Sequence, residues 1–153
     1  MTYTIMALAA NKSGVLTRVS GLFARRGYNI HSISACSTED ENFSRITIEL
    51  DGDEYMLTQM VKQLDKLIDI KKITYADEKS CIFRELCLVK VKASPEKRSE
   101  IIEIKEVYKA NKIDGFIRVI EPYGIMEMAR TGVTALSRGG VCIKDLNDYN
   151  DLI

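Results

Sequence analysis

The sequence predicts an α+β fold built from two small units. Three observations carry that prediction. Four segments place apolar residues at helical spacing, several shorter segments are apolar or alternate with a period of two, and glycine or acidic turns separate them. The chain has 153 residues, of which 46% are hydrophobic and 29% charged. That length suits two units of about 75 residues each.

The first segment, "YTIMALAA", is short, apolar and closed by "NKSG", as a buried strand would be. From Val15 the apolar residues Val15, Leu16, Val19, Leu22 and Phe23 recur on one helical face. Arg18, Arg25 and Arg26 lie off that face, and Gly27 is placed to end the helix in a left-handed conformation. "YNIHSISACST" reads as a second strand, ending in the polar turn "TEDEN". "FSRITIELDGDE" alternates: Ile46, Ile48 and Leu50 face one way, and Arg45, Thr47 and Glu49 the other. "DGDE" opens a second helix with Leu57, Met60, Val61, Leu64, Leu67 and Ile68 on one face. "IDIKKITYAD" is a last strand. Residues 1–77 therefore read β-α-β-β-α-β, the ferredoxin-like plan, with both helices on one face of a four-stranded antiparallel sheet. The open face and edges of so small a sheet invite pairing with a second copy.

Residues 78–153 begin again. "DEKSCIFRE" reads as a polar linker and "LCLVKVKAS" as a strand with Cys87, Val89 and Val91 on one side. A helix enters through Pro95 and shows Ile101, Ile104, Val107 and Tyr108 on one face. A second helix carries Ile113, Phe116, Ile117 and Ile120 and stops at Pro122 and Gly124. "IMEMARTGVTALSRG" reads as a last strand and its exit, and "DLNDYNDLI" as a polar tail. The order β-α-α-β leaves no room for two middle strands between Asn111 and Lys112.

Several functions are disfavoured by composition. The 22 basic and 22 acidic residues balance, so the basic field on which nucleic-acid binding rests is missing. No apolar run approaches the roughly 18 residues of a membrane span, and the N-terminus lacks the charged region of a signal peptide. Cys36, Cys81, Cys87 and Cys142 form no C-x-x-C pair, which argues against zinc and disulfides and for a reducing, cytoplasmic compartment. The one histidine, His31, lies mid-strand, and no hydrolase, metalloprotease or Walker motif occurs.

The turn Asn11-Lys12-Ser13-Gly14 carries the most chemistry. Ser13 or Asn11 could cap the helix that follows. Alternatively, uncapped N–H groups of residues 14 to 16 would form an anion site at its positive end. An amino acid's carboxylate fits there, with the Asn11 carbonyl oxygen accepting from the ammonium while its NH₂ reaches the carboxylate.

"NKSGVLTRVSGLFARRGYNIHSI", "SRITIEL", "KQLDKLIDIKKI", "RELCLVKV" and "EPYGIMEMARTGVTALSRG" closely resemble the regulatory small subunit of acetolactate synthase (acetohydroxyacid synthase). The resemblance runs through most of residues 3 to 140. It implies an ACT domain over 1–77, for effector binding and dimerisation, and over 78–153 the family's C-terminal domain without its middle two strands. It further implies a subunit with no chemistry of its own. Such a subunit binds and activates the catalytic large subunit and confers feedback inhibition by a branched-chain amino acid, typically valine. Thiamine diphosphate, Mg²⁺ and FAD belong to that partner. The effector would sit between two ACT domains of a homodimer, held by Asn11, Ser13, Gly14 and the backbone of Val15 and Leu16 from one copy, and by Asn29 and Ile30 from the other. His31 stands where the family often has a carboxylate. The competing readings are a stand-alone ACT-type sensor for another enzyme, and a ferredoxin-like enzyme or RNA-binding module. The last lacks the aromatic platform that RNA binding on such a sheet requires.

Overall fold

The structure, a computed structural model, describes residues 1–107, 113–140 and 142–145. They form two compact units, Met1–Phe83 with the segment from Val133, and Arg84–Gly132.

The first unit holds a four-stranded sheet in the order β2-β3-β1-β4. Its elements are β1 (Thr2–Ala10), α1 (Val15–Arg25), β2 (Ile30–Ser37), β3 (Phe43–Asp51), α2 (Glu54–Asp65) and β4 (Ile70–Tyr75). Each resolved pairing is antiparallel, as the ferredoxin-like plan requires. The helices and one sheet face share a core of Ile5, Ala7, Ala9, Val19, Phe23, Ile46, Ile48, Leu50, Met60 and Leu64, among others. Burying such a face is what stabilises an amphipathic helix that would be marginal alone.

Gly27 ends α1 as its sequence position suggests, with φ +71°. The Gly27 N–H donates to Ala24 O and the Tyr28 N–H to Phe23 O, both at 3.1 Å, the paired bonds of a Schellman motif. The start of α2 is capped by Asp53, whose carboxylate accepts from the Met56 N–H at 2.7 Å. Replacing Asp53 by Ala removes that cap. The expected loss is about 1 kcal/mol, a fall in Tm of roughly 4–8 °C for a unit of this size, read from a thermal melt.

Four sequence expectations change. "DEKSCIFRE" contains a strand, β5 (Cys81–Arg84), because Cys81 is buried together with Met6, Ala135 and Ile143. "IMEMARTGVTALSRG" is two strands, β7 (Ile125–Arg130) and β8 (Thr134–Ser137), divided at Gly132 with φ +74°. β7 pairs with β6 (Cys87–Val91), whereas β8 pairs with β5. The sheet face away from the helices is therefore not left to solvent. Thr47, expected to face outward, is only 1% exposed. β8 reaches this face through Ser34 Oγ to Thr134 Oγ1 at 3.1 Å and Arg45 Nη1 to Ala135 O at 3.4 Å. Finally, α2 stops at Asp65, so Ile68, assigned to its apolar face, is exposed beyond it. A division at 77/78 thus separates, in sequence, strands that the fold places together with the first sheet.

The second unit pairs β6 with β7 antiparallel and carries α3 (Pro95–Val107) and α4 (Ile113–Ile120). Pro95 opens α3, and a 3₁₀ turn Glu121–Tyr123 followed by Gly124 at φ +81° closes α4. This is the β-α-α-β order read from sequence. Arg130 grips both Glu85 oxygens at 2.6 and 2.7 Å and reaches Asp114 at 2.9 Å. The Val107 side chain, Tyr108, the Asn111–Lys112 junction and the tail from 146 lie outside the described residues.

Candidate functional site

β1 delivers the chain to the Asn11–Gly14 turn, and the turn is braced by both neighbouring strands. The Ala10 N–H donates to Asp69 O at 2.7 Å, just before β4, and the Asn11 N–H donates to Asn42 O at 2.7 Å, just before β3. The Asn11 side-chain Nδ2 donates to Glu41 O at 2.9 Å. One hydrogen of the Asn11 NH₂ is thus engaged by the protein's own backbone, where the β2–β3 turn lies against it, which leaves its second hydrogen and Oδ1 for a ligand.

The start of α1 contrasts with that of α2. Gly14 is the N-cap, at φ +83° and ψ −7°, and no side chain caps the helix. Neither Ser13 nor Asn11 takes the capping role. The first turn of α1 has no acidic residue, so its positive end is not neutralised locally. Gly14 suits the turn in two ways. Its φ lies in the left-handed region, and a Cβ there would stand 3.0 Å from Arg18 Nη1. Val15 is buried at 4% exposure and offers only its backbone to the turn, whereas Leu16, expected in the core stripe, is 46% exposed.

One feature of the turn was not singled out from the sequence. Arg18 donates from Nε to Asp69 Oδ2 at 2.7 Å, which brings its guanidinium beside Gly14. The faint signal was the four-residue spacing of Gly14 and Arg18, one helical turn.

The other group is at the start of β2. Asn29 is exposed, and Ile30 is half-buried against the core. Ile30 pairs with Leu50, and Leu50 with Tyr3 at the beginning of β1. Asn11, by contrast, follows Ala10, which pairs with Phe43 at the far end of the same sheet. At about 3.3 Å per residue, the two groups stand roughly 20 Å or more apart along the strands. Within one chain the structure brings Asn11, Gly14, Val15 and Leu16 together and holds Asn29 and Ile30 away from them.

β2 is an edge strand of its sheet. Its helix-side residues Ile33 and Ala35, opposite Ile48 and Ile46, are exposed, Ile33 by 39%. His31, next to Ile30, contacts Asp51 Oδ2 through Nε2 at 2.6 Å, and Thr2 donates to Asp51 Oδ1 at 2.9 Å. These hydrogen bonds, the His31 one first, hold the Asp51 carboxyl below its usual range. The stabilisation from that shift is present at neutral pH and fades as pH falls through the Asp51 pKa.

In the second unit, burial pushes the Cys87 thiol up, which lowers its reactivity at neutral pH. Among the described residues, no three His, Cys, Asp or Glu side chains meet as a metal site, and no helix is long and apolar enough to cross a membrane.

Comparisons with known proteins place this architecture. Residues 5–72 match the family described as the AHAS small subunit-like ACT domain. Residues 84–114 and 109–139 match, in two pieces, the family described as the small subunit of acetolactate synthase. The acetolactate synthase small subunit of Mycolicibacterium smegmatis is 40% identical, over 90% of this chain and 92% of its own. That of Bacillus subtilis is 41% identical, over 91% of this chain and 92% of its own. The crystal structure of the acetolactate synthase small subunit from Thermotoga maritima superposes with a TM-score of 0.82 at 31% identity, covering 92% of this chain and 99% of that one. The B. subtilis alignment spans 159 positions, more than the 153 residues of this chain, so that relative has residues without a counterpart here. The two-piece match breaks around Asn111–Lys112, where the sequence lacks room for two strands. By profile, sequence and fold, the chain belongs to the acetolactate synthase small-subunit family, with an ACT domain at its N-terminus.

Proposed function

We propose that this chain is the regulatory subunit of an acetolactate synthase in branched-chain amino acid biosynthesis. It binds the catalytic large subunit, raises its turnover and confers feedback inhibition by valine or a close relative. It performs no chemistry. The joining of pyruvate to a second 2-oxoacid is left to the large subunit with its thiamine diphosphate, Mg²⁺ and FAD, in the cytoplasm. Residues 1–77 bind the effector and dimerise, and residues 78–153 supply the C-terminal domain.

The observation that supports this reading best is the strand register. The Asn11–Gly14 turn and the Asn29–Ile30 pair lie at opposite ends of one sheet. A two-fold axis beside the β2 edge reverses the strand direction of the second copy and brings the turn of one chain to the β2 start of the other. Exposed Ile33 and Ala35 give that edge an apolar contact to bury. In the resulting site, the effector carboxylate takes the first-turn N–H groups of α1 that follow Val15, whose own N–H donates to Lys12 O at 3.4 Å, and its ammonium faces Asn11 Oδ1. Because the ligand bridges two chains, its binding energy favours one dimer geometry over others, which is the requirement for control at a distance.

The test is reconstitution. Adding the purified chain to the matching large subunit should raise acetolactate production and make it sensitive to valine. The competing reading, a stand-alone ACT-type sensor, gains if turnover and valine sensitivity are unchanged and no thiamine-dependent synthase co-purifies with the chain.

A further inference from the structure

Side chains on a helix lean toward its N-terminus. Arg18, one turn into α1, therefore carries its guanidinium back over the helix start, and Nη1 lies 3.0 Å from the point a Gly14 Cβ would occupy. The guanidinium is held in place by Asp69, whose Oδ2 accepts from Nε at 2.7 Å. Asp69 is the more enclosed partner, with 16% side-chain exposure against 48% for Arg18. Its backbone carbonyl also receives the Ala10 N–H at 2.7 Å. One residue thus braces both the strand end that leads to Asn11 and the cation beside Gly14.

Guanidinium has two edges suited to a carboxylate. Asp69 uses the Nε position, while the Nη groups sit at the half-exposed end, one of them at Gly14. The first turn of α1 carries no acidic residue of its own, and Asp69 is the carboxylate paired with Arg18. We infer that Arg18 is a specificity-determining residue of the effector site. It reads the free carboxylate of an α-amino acid bound at the Gly14 turn, with Asp69 as its positioning residue. This rests on the effector reading above and adds a class rule: zwitterionic amino acids bind, and their amides do not.

The test is calorimetric titration of the full chain with L-valine and with L-valinamide, which keeps the ammonium and the side chain but lacks the carboxylate. The wild type should prefer valine strongly. Arg18→Gln should weaken valine 10- to 100-fold while changing valinamide little, so that the preference collapses toward one. Arg18→Lys should keep a preference at reduced affinity, and it serves if Arg18→Gln does not fold. A merely structural Arg18–Asp69 brace would instead weaken both ligands in parallel. An undiminished valine-to-valinamide ratio in Arg18→Gln, or in Arg18→Lys identical affinities to wild type for both ligands, overturns the Arg18 assignment alone. A wild type that binds no branched-chain amino acid overturns the effector reading, and the Arg18 role with it.

Discussion

In the Gly14→Asp variant, valine binding should fall at least 100-fold while the chain stays folded. The fold survives because aspartate is among the few residues that tolerate a left-handed φ, and Gly14 sits at +83°. The atom nearest the new Cβ is Arg18 Nη1 at 3.0 Å, the end of a flexible side chain that can yield. The new carboxylate then pairs with Arg18 and with the positive end of α1, a favourable place for it. Binding is lost for the same reason, since the variant supplies its own anion where the effector's carboxylate belongs. Losing two charge-assisted hydrogen bonds, at about 1.5–3 kcal/mol each, amounts to more than 100-fold in affinity. Calorimetry paired with a thermal melt reads both halves. Unchanged affinity would remove the turn from the site, and a collapsed melt would show that the fold, not the ligand, was the casualty. Gly14→Ala separates the causes further. It adds about 1–2 kcal/mol of backbone strain without an anion, so its affinity should fall less.

The second expected result concerns two inactive variants that restore each other. Gly14→Asp damages the turn, and Asn29→Ala damages the start of β2. Each homodimer should bind valine weakly or not at all. In a two-fold dimer whose sites each combine the turn of one chain with Asn29 of the other, the mixed dimer has one doubly damaged site and one intact site. Random co-assembly makes about half of the dimers mixed, so about a quarter of the sites should regain wild-type affinity. The stoichiometry of a titration on co-expressed chains measures that fraction. If the site lay within one chain, co-expression would restore nothing, because every site would still carry one lesion. The register makes the first outcome the expected one, with Ile30 opposite Leu50 and Ala10 opposite Phe43 at opposite sheet ends.

Parts of the turn's geometry were legible in advance. Asn11 and Gly14 stand out because a polar, glycine-closed turn between a strand and a helix is a recognisable local unit, and Gly14 indeed has the positive φ that only such a residue adopts easily. The Arg18–Asp69 pair was not legible. Arg18 lies off the apolar stripe of α1, where arginines are usually solvated, and its partner is 51 residues away. The backbone anchor of the Asn11 amide was not legible for a similar reason, since its acceptor, Glu41 O, comes from a turn 30 residues distant.

The amino-acid sequence by itself determined the four strands and two helices of residues 1–75 and their order. A helix or strand announces itself through the period at which it must bury one face, and the stop of α1 at Gly27 and the start of α2 at Asp53 are local chemistry. The tertiary structure alone decided what covers the second face of the sheet. Cys81, Ala135 and Ile143 lie in three short apolar runs far apart in the sequence, each too brief for a periodic signal, yet with Met6 they close that face. It also decided that the Asn11–Gly14 turn and the Asn29–Ile30 pair, the two halves of the proposed effector site, stand apart in one chain. Register is a relation between strands, set by which distant backbone groups pair, so it shows only once β1, β3 and β2 are aligned side by side.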